Sequence, residues 1–190
     1  TDEQFFTPGS GSLRGTRPLI ASAGLEQRDY LTLAQAIQDQ EIDVKICAFS
    51  PNSSSNTRTR MPDVIPDNME IRFFEFLELR DLYRSADIIV ISMLKNDYAG
   101  QTVLMEGMAC NRPIIVTKND GLPGDMIEKG LVLGFEPGDA SGLRDAIDKI
   151  LSNPEEAKYM SNKAHKYFLE NHTSSRQVSL IAKKLESIDL

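Results

Sequence analysis

Short apolar runs alternate with helical patterns along most of the chain. Six runs have the length and β-branched content of strands, and they lie at residues 18–24, 43–49, 87–93, 112–117 and 130–135 and within residues 68–77. Apolar residues at i, i+3, i+4 and i+7 predict helices at residues 28–40, 78–86, 141–153, 153–171 and 174–188 and in the first half of residues 100–120. This alternation predicts an α/β fold: a doubly wound, Rossmann-like parallel sheet of about six strands with a helical C-terminal tail.

The composition is that of an ordinary globular protein, and it argues against two classes of partner. The chain has 190 residues, which suggests one domain or one domain with a short extension. Its 28 acidic and 21 basic residues give a formal net charge of −7, which argues against a broad nucleic-acid surface. No stretch approaches the roughly 18 apolar residues of a membrane span. Cys47 and Cys110 lie in apolar runs and are expected to be reduced core thiols rather than a disulfide.

The turn after the run at residues 87–93 has the features of an anion site. In a doubly wound sheet, ligands bind beyond the carboxyl ends of the strands. Gly100 allows close backbone approach in this turn, and Gln101 and Thr102 fall in the first turn of the following helix. The first amides of a helix lack intrahelical acceptors and carry the positive end of the helix dipole, which suits a phosphate or pyrophosphate. A plain tight turn is the alternative.

A second candidate anion ligand lies after the first strand. Arg28 follows the turn glycine Gly24 by four residues, at the mouth of the first helix. A guanidinium there can bind a phosphate through two hydrogen bonds. The alternative is a solvated charge beside Asp29.

Glu106 is the only charged residue between Asp97 and Arg112, and it lies in an otherwise apolar helix. A buried lone carboxylate costs several kcal/mol unless it has hydrogen-bond donors. The hydroxyls of a ribose 2′,3′-diol are suitable donors for its two oxygens. The alternatives are a partly exposed side chain at the helix edge, or one paired with Arg112.

Sequence motifs of other common chemistries do not occur. There is no Walker loop, no GxGxxG, no GxSxG and no CxxC. His165 and His172 have no Cys, His or carboxylate partners at metal-ligand spacing, and they are predicted to be surface residues. Ordinary NAD, ATP and hydrolase sites therefore lack their usual support.

The second half of the chain resembles a known family. "GQTVLMEGMACNRPIIVTKNDGLPGDMIEKGLVLGFEPGDASGLRDAIDKILSNPE" is similar, in order and nearly in spacing, to the C-terminal half of GT-B-fold glycosyltransferases of the large retaining group called family 4. "GLEQRDYLTLAQA" resembles their first strand-to-helix turn, and "TDEQFFTP" resembles the segment that links their two domains. The resemblance covers nearly the whole chain and implies that an N-terminal partner domain is missing.

The resemblance implies roles for two carboxylates. In this family, the second Glu of a Glu–seven residues–Glu motif holds the ribose hydroxyls, and Glu106 matches it. The first acid contacts the transferred sugar, and Asp97 takes that place as the catalytic candidate. Here the acid is Asp and the spacing is one residue longer, which puts the sugar contact and the donor identity in question.

The resemblance also implies how a diphosphate is held. Of the family's two basic residues, one is replaced by Leu25 and the other is matched by Arg28, with Lys95 a candidate for the second charge. Asp125 is only a shifted match to the acid of the family's GGLPE loop. The implied donor-binding set uses no metal and no other cofactor, and it comprises Gly24, Arg28, Lys95, Gly100, Gln101, Thr102 and Glu106.

The implied activity is hexosyl transfer, with retention, from a nucleotide-diphosphate sugar to an acceptor hydroxyl. Residues 1–17 are then an interdomain linker remnant, residues 18–153 the nucleotide-sugar-binding domain, and residues 154–190 its helical tail. The partners are the nucleotide sugar and the missing acceptor domain, without which this chain is expected to be inactive. The last helix is expected to pack its apolar stripe on this domain or on a neighbouring copy. The expected location is cytoplasmic, with any membrane contact made peripherally through the missing domain.

Three other functions remain open at this point. A sugar-nucleotide-binding module without catalysis is favoured slightly by Leu25 and Asp97. Another GT-B enzyme, such as a sugar-nucleotide epimerase or a glycan phosphorylase, is a second alternative, although no lysine is placed as a pyridoxal phosphate anchor. A receiver-like flavodoxin domain needs an acidic cluster at the strand ends, where only Asp97 and Asp120 lie.

Overall fold

The computed structural model describes residues 1–11, 17–48, 58–94, 99–119 and 125–187. The strands within these ranges are β1 (Leu19–Ala23), β2 (Asp43–Cys47), β3 (Met69–Arg72), β4 (Ile88–Ile91), β5 (Ile114–Thr117) and β6 (Leu133–Phe135). The helices are α1 (Tyr30–Ala36), α2 (Phe76–Ser85), α3 (Gln101–Ala109), α4 (Ala140–Ser152), α5 (Pro154–Asn171) and α6 (Ser174–Glu186). Each predicted strand and helix is present, although most are shorter than the apolar run that predicted them.

The six strands form one parallel sheet in the order β3-β2-β1-β4-β5-β6. From β1 the chain adds strands first on one side, β2 and then β3, and afterwards on the other side, beginning with β4. The parallel neighbours β1 and β4 therefore mark the point where the strand order switches. Such a switch point opens a crevice at the carboxyl ends of the two strands, where doubly wound sheets bind their ligands. The predicted fold class, a Rossmann-like parallel sheet, is confirmed.

Helices cover both faces of the sheet, as the β-branched central strands require. All four residues of β4 and all four of β5 are buried. One face packs against α2, α3 and the second half of α5, and the other packs against α1, α4 and the start of α5. Since α3 and α1 begin at the switch point, their first turns are placed at the crevice.

Local signals fix the ends of several helices. The Asp29 carboxylate caps α1 by accepting from the Thr32 amide at 3.1 Å. Asn153 lies at the N-cap position before Pro154, yet its side chain does not cap α5. Its amide instead donates to the Lys149 carbonyl at 3.0 Å, at the end of α4. The side chain therefore stabilises the end of the preceding helix.

The N-terminal segment lies against the body of the domain. Phe6 is buried and its ring lies near Tyr83 of α2, while the ring of Phe5 stacks on that of Phe76 at 4.4 Å. The Thr1 carbonyl accepts from the Ser174 amide at 3.0 Å. The division of the chain at residues 17 and 153 stays a prediction.

The structure decides one of the two surfaces expected for the apolar stripe of α6. No residue of α6 is buried, so the stripe does not pack on this domain, and packing on a neighbouring copy stays a prediction. The expectation that both histidines are surface residues is corrected. His165 and His172 are half-buried rather than exposed, and the Nδ1 atom of His165 lies 2.9 Å from the Met108 carbonyl oxygen. Both cysteines are free thiols, as predicted. Among the described residues, no helix has the length and apolar character needed to cross a bilayer.

Candidate functional site

A cavity of about 570 Å³ lies at the carboxyl edge of β1, β2 and β3, next to α2 and α3. Four residues that the sequence singled out line it together: Gly24, Arg28, Thr102 and Glu106. They come from the turn after β1 and from α3, which follows β4, so the switch point of the sheet is what unites them. Gly100 and Gln101 are not among the lining residues, and Lys95 lies outside the described ranges, so the cavity unites four of the seven predicted donor-binding residues. That it binds a donor stays a prediction.

Arg28 is a buried cation at one side of this cavity. Only 4% of the residue is exposed, which excludes the solvated surface charge. Its Nε donates to the Ala23 carbonyl at 2.8 Å, and its Nη1 donates to the Glu26 carbonyl at 3.3 Å and contacts the Met93 sulfur. Within the described ranges its guanidinium pairs with no carboxylate. A desolvated cation that lacks a counter-ion favours an anionic ligand.

The two turn glycines make room for this guanidinium. Gly24 has φ of 107°, and a Cβ on it would lie 2.3 Å from Arg28 Nη2. Gly100 is the N-cap residue of α3 with φ of 91°, and a Cβ there would lie 2.9 Å from Ile91 Cγ2 and 3.6 Å from Arg28 Nη1. Both positions need glycine for the backbone angle and for the space. The start of α3, with Gln101 and Thr102, therefore adjoins the Arg28 side chain.

Glu106 is the buried carboxylate of the same cavity. It lies in α3, and only 8% of the residue is exposed. Burial raises the pKa of Glu106 to about 7, while the Tyr83 hydroxyl and the Thr1 amino group lower it in part. Among the described residues it forms no ion pair. Its side chain is therefore poised to accept hydrogen bonds from a ligand.

Arg112 is not the partner of Glu106. Its guanidinium donates instead to backbone carbonyls, those of Cys110 at 3.2 Å, Ala86 at 3.3 Å and Gly9. These bonds tie the start of β5 to the end of α2 and to the N-terminal segment. The helix-edge and Arg112 alternatives for Glu106 are both excluded by this geometry.

An aromatic wall, defined as Phe73, Phe74 and Phe76, closes the side of the cavity next to β3 and α2. Phe74 is buried, whereas Phe73 and Phe76 are partly exposed at the surface. The Arg72 guanidinium carbon lies 3.6 Å from the centre of the Phe74 ring. A planar apolar group fits such a wall, so the cavity combines a cation, a carboxylate and an aromatic surface.

A family model decides the identity of the fold. The model described as "Glycosyl transferases group 1" matches residues 26–153, which include the Arg28, Gly100 and Glu106 positions. The chain belongs to this family. The resemblance to GT-B glycosyltransferases is confirmed.

Relatives of this group 1 domain agree with that assignment. A D-inositol 3-phosphate glycosyltransferase of Corynebacterium urealyticum is 26% identical over 179 residues, covering 88% of this chain and 40% of that protein. The C-terminal domain of the group 1 family protein LpcC from Francisella tularensis matches at a TM-score of 0.69 and 14% identity, over 92% of this chain and 99% of that one. Anabaena HepE, solved in complex with UDP-glucose, matches at a TM-score of 0.77 and 12% identity, over 99% of this chain and 56% of that one. The chain spans less than half the length of its curated relative.

Some predicted residues of the group 1 domain fall outside the described ranges. Lys95 and Asp97 are among them, and so is the loop at residues 120–124. Asp125 is described, and it forms an ion pair with Lys129 in the same turn region. Leu25 lines the cavity and contributes no charge there.

The aromatic wall and Tyr83 were not predicted from the sequence. A pattern for the wall is present, because three phenylalanines occupy four consecutive positions directly after β3. Tyr83 gave no signal, since its place in the apolar stripe of α2 is typical of a core residue. Its contact with the cavity depends on how α2 packs beside α3, which local spacing does not report.

Proposed function

We propose that this chain is the nucleotide-sugar-binding half of a glycosyltransferase. The observation that carries the proposal is that a desolvated guanidinium, Arg28, and a desolvated carboxylate, Glu106, face one cavity at the switch point of the sheet. A nucleoside diphosphate offers the complement to both, since its phosphates are anionic and its ribose hydroxyls are donors. The UDP-glucose complex of the Anabaena neighbour supports this class of ligand.

The diphosphate is proposed to lie between Arg28 and the start of α3. The guanidinium and the first amides of the helix supply charge-assisted hydrogen bonds to the phosphate oxygens. The ribose diol then reaches Glu106, about one and a half turns into α3, and the base lies toward the aromatic wall. Gly24 and Gly100 allow the close approach, while Gln101 and Thr102 occupy the first turn.

In the proposed reaction, the acceptor oxygen bonds to the anomeric carbon as that carbon's bond to the diphosphate breaks. The hydroxyl proton of the acceptor passes to water, and the diphosphate leaves with the electron pair of the broken bond as added negative charge. Arg28 and the α3 amides stabilise that charge as it develops. Asp97 as the contact to the transferred sugar, and Lys95 as a second positive charge, remain proposals, as does retention of configuration.

Donor binding is proposed to need no metal ion. Two carboxylates of the described residues, Glu75 and Glu106, line the cavity, and no group of three potential metal ligands occurs within the described part of the chain. The prediction is that EDTA leaves nucleotide affinity unchanged in calorimetry. A clear requirement for Mg²⁺ or Mn²⁺ in donor binding contradicts it.

Transfer itself is proposed to need a second domain, which is expected to supply the acceptor site. The chain covers 40% of its curated relative, and its cavity is open at the strand ends. Closure of a cleft around the donor excludes water and positions the acceptor, effects worth many orders of magnitude in rate. A cytoplasmic location, with any membrane contact made by that domain, completes the proposal.

The test is a thermal-shift screen of UDP-, GDP- and ADP-sugars on the wild-type chain, Glu106→Ala and Arg28→Ala. A ligand at 100 times its dissociation constant stabilises the folded state by about 2.7 kcal/mol. We expect at least one donor to stabilise the wild type and both variants to lose most of that effect. Stabilisation of all three proteins alike contradicts the proposed site.

A non-catalytic binding module is the second candidate, and Leu25 is the observation that favours it. This side chain lines the cavity where a second positive charge would assist a departing diphosphate. A radiolabelled-donor assay decides between the two, on this chain and on a protein with the upstream domain restored. Transfer by the restored protein alone supports the enzyme. Binding without transfer in both supports the module, and equal turnover by this chain alone contradicts the two-domain account.

A further inference from the structure

Tyr83 has a feature that the proposed function does not use. The residue lies in α2 and is fully buried, yet its hydroxyl has no hydrogen-bond partner among the described residues. A buried hydroxyl without a partner costs roughly 1–3 kcal/mol. Tyr83 also lines the cavity, next to Glu106 of α3. A phenylalanine would fill the same space without this cost, so the hydroxyl calls for an explanation.

We propose that Tyr83 is a positioning residue for Glu106: in the nucleotide-bound domain its hydroxyl donates to one carboxylate oxygen and leaves the other to accept from the ribose diol. This inference rests on the proposed function for the ribose contact. A carboxylate has two oxygens and about four acceptor positions, so it can serve both partners at once. Held from one side, the carboxylate cannot rotate away from the ligand.

The electrostatics of the pair agree with this assignment. The Tyr83 hydroxyl lowers the pKa of Glu106 from beside it, although the two side chains do not meet hydrogen-bond geometry. Burial first, and then the charge of Glu106, raise the pKa of Tyr83 well above its usual value, so the phenol stays a neutral donor. Removal of the hydroxyl should therefore make the Glu106 carboxylate harder to ionise.

Other charged and titratable groups lie around Glu106 on each surrounding element: Glu75 at the start of α2, Cys47 at the end of β2, Arg28 after β1, Cys110 directly after α3 and the amino group of Thr1. Burial raises the pKa of both cysteines, that of Cys110 to about 12. The thiols therefore stay neutral near pH 7. Glu106 itself is the group expected to change charge there.

The first test measures the contact without any ligand. The Glu106 carboxyl carbon is followed by NMR against pH in the wild type, Tyr83→Phe and Tyr167→Phe, a hydroxyl deletion in α5 away from the cavity. We expect the midpoint to rise above the wild-type value of about 7 in Tyr83→Phe, since the adjacent hydroxyl that favours the ionised carboxylate is lost. Tyr167→Phe should match the wild type. An unchanged midpoint in Tyr83→Phe overturns the proposal.

The second test follows UDP and GDP affinity by calorimetry from pH 6 to pH 9. We expect Tyr83→Phe to bind about tenfold more weakly than the wild type near pH 7. The difference should narrow to about threefold at pH 9, where the carboxylate is ionised in both proteins. A loss that is equal at every pH indicates a packing role and overturns the proposal. A wild type that binds no nucleotide contradicts the proposed function instead, and the NMR midpoint still decides whether Tyr83 acts on Glu106.

Discussion

Helices α3 and α6 are both predicted from their apolar residues but meet very different surroundings, since α3 is apolar around most of its circumference and α6 along one stripe. In α3, even the one charged residue, Glu106, is buried. In α6, no residue is buried, and Val178, Ile181 and Leu185 are each at least 60% exposed. A helix that is apolar all round is expected to be buried, whereas a single stripe predicts a helix without showing what covers the stripe. Burial, rather than pattern, marks α3 as the helix with a site.

The first prediction tests this difference in burial with the same substitution, Leu→Ala, in each helix. Leu104→Ala in α3 should lower the free energy of unfolding by roughly 2–5 kcal/mol, because it opens a cavity at a fully buried position. Leu185→Ala in α6 should change it by less than about 0.5 kcal/mol, since that side chain is exposed. Urea unfolding measures both. Similar losses would mean that α6 is covered in solution.

The second prediction concerns the stability cost of Glu106. Its pKa rises from 4.5 in the unfolded chain to about 7 in the fold, which corresponds to roughly 3 kcal/mol at about 1.4 kcal/mol per pH unit. The folded state binds the Glu106 proton more tightly than the unfolded chain does. The contribution of the protonated side chain to the free energy of unfolding is therefore complete below pH 4.5 and is lost as the pH rises through 7. Glu106→Gln should thus gain up to about 3 kcal/mol at pH 8 and lose this pH dependence.

The matched control for that variant is Glu186→Gln, at the exposed end of α6. It should leave both the unfolding free energy and its pH dependence near those of the wild type. Denaturant titrations of the three proteins at pH 5 and pH 8 give the six values needed. The difference in unfolding free energy between Glu106→Gln and the wild type should be larger at pH 8 than at pH 5. An equal difference at both pH values contradicts a desolvated carboxylate.

The third prediction compares nucleotide binding by variants at the cavity and in α6. Arg28→Ala should weaken UDP or GDP binding by roughly 1.5–3 kcal/mol, because a charge-assisted pair is lost, and should leave uridine or guanosine binding nearly unchanged. Arg28→Lys, which keeps the charge, separates this effect from loss of the guanidinium's backbone bonds. Arg176→Ala in α6 is the control and should change neither. Calorimetry that finds equal losses for nucleoside and diphosphate assigns Arg28 a structural role.

Much of the fold could be predicted from the sequence, because the local patterns for strands, helices and turns agree with the overall α/β arrangement. The continuous β-branched run at Ile88–Ile91 predicts a strand covered on both faces, and all four residues are buried. Gly24 and Gly100 were identifiable as turn residues, and both adopt positive φ. The arrangement of Arg28, Thr102 and Glu106 around one cavity followed from the rule that ligands bind at the carboxyl ends of parallel strands.

The rest depended on packing between elements that are distant in sequence. Tyr83 reaches the cavity because α2 packs beside α3, and the spacing within α2 carries no record of that neighbour. Arg112 was a plausible partner for Glu106 by proximity in sequence, but its bonds go to Gly9, Ala86 and Cys110. The exposure of α6 was likewise hidden, since an apolar stripe looks the same whether or not it is covered.

The central claim, that the buried carboxylate of α3 holds a ribose, is tested most directly by calorimetry with UDP, GDP and their 2′-deoxy forms. Wild type should prefer the ribonucleotide that it binds over its deoxy form by roughly 1.5–3 kcal/mol, the value of a hydrogen bond to a charged acceptor. Glu106→Gln should bind the two forms nearly equally, while the diphosphate contact to Arg28 persists. A wild type that binds ribo and deoxy forms alike, or a Glu106→Gln variant that retains the full preference, contradicts the claim.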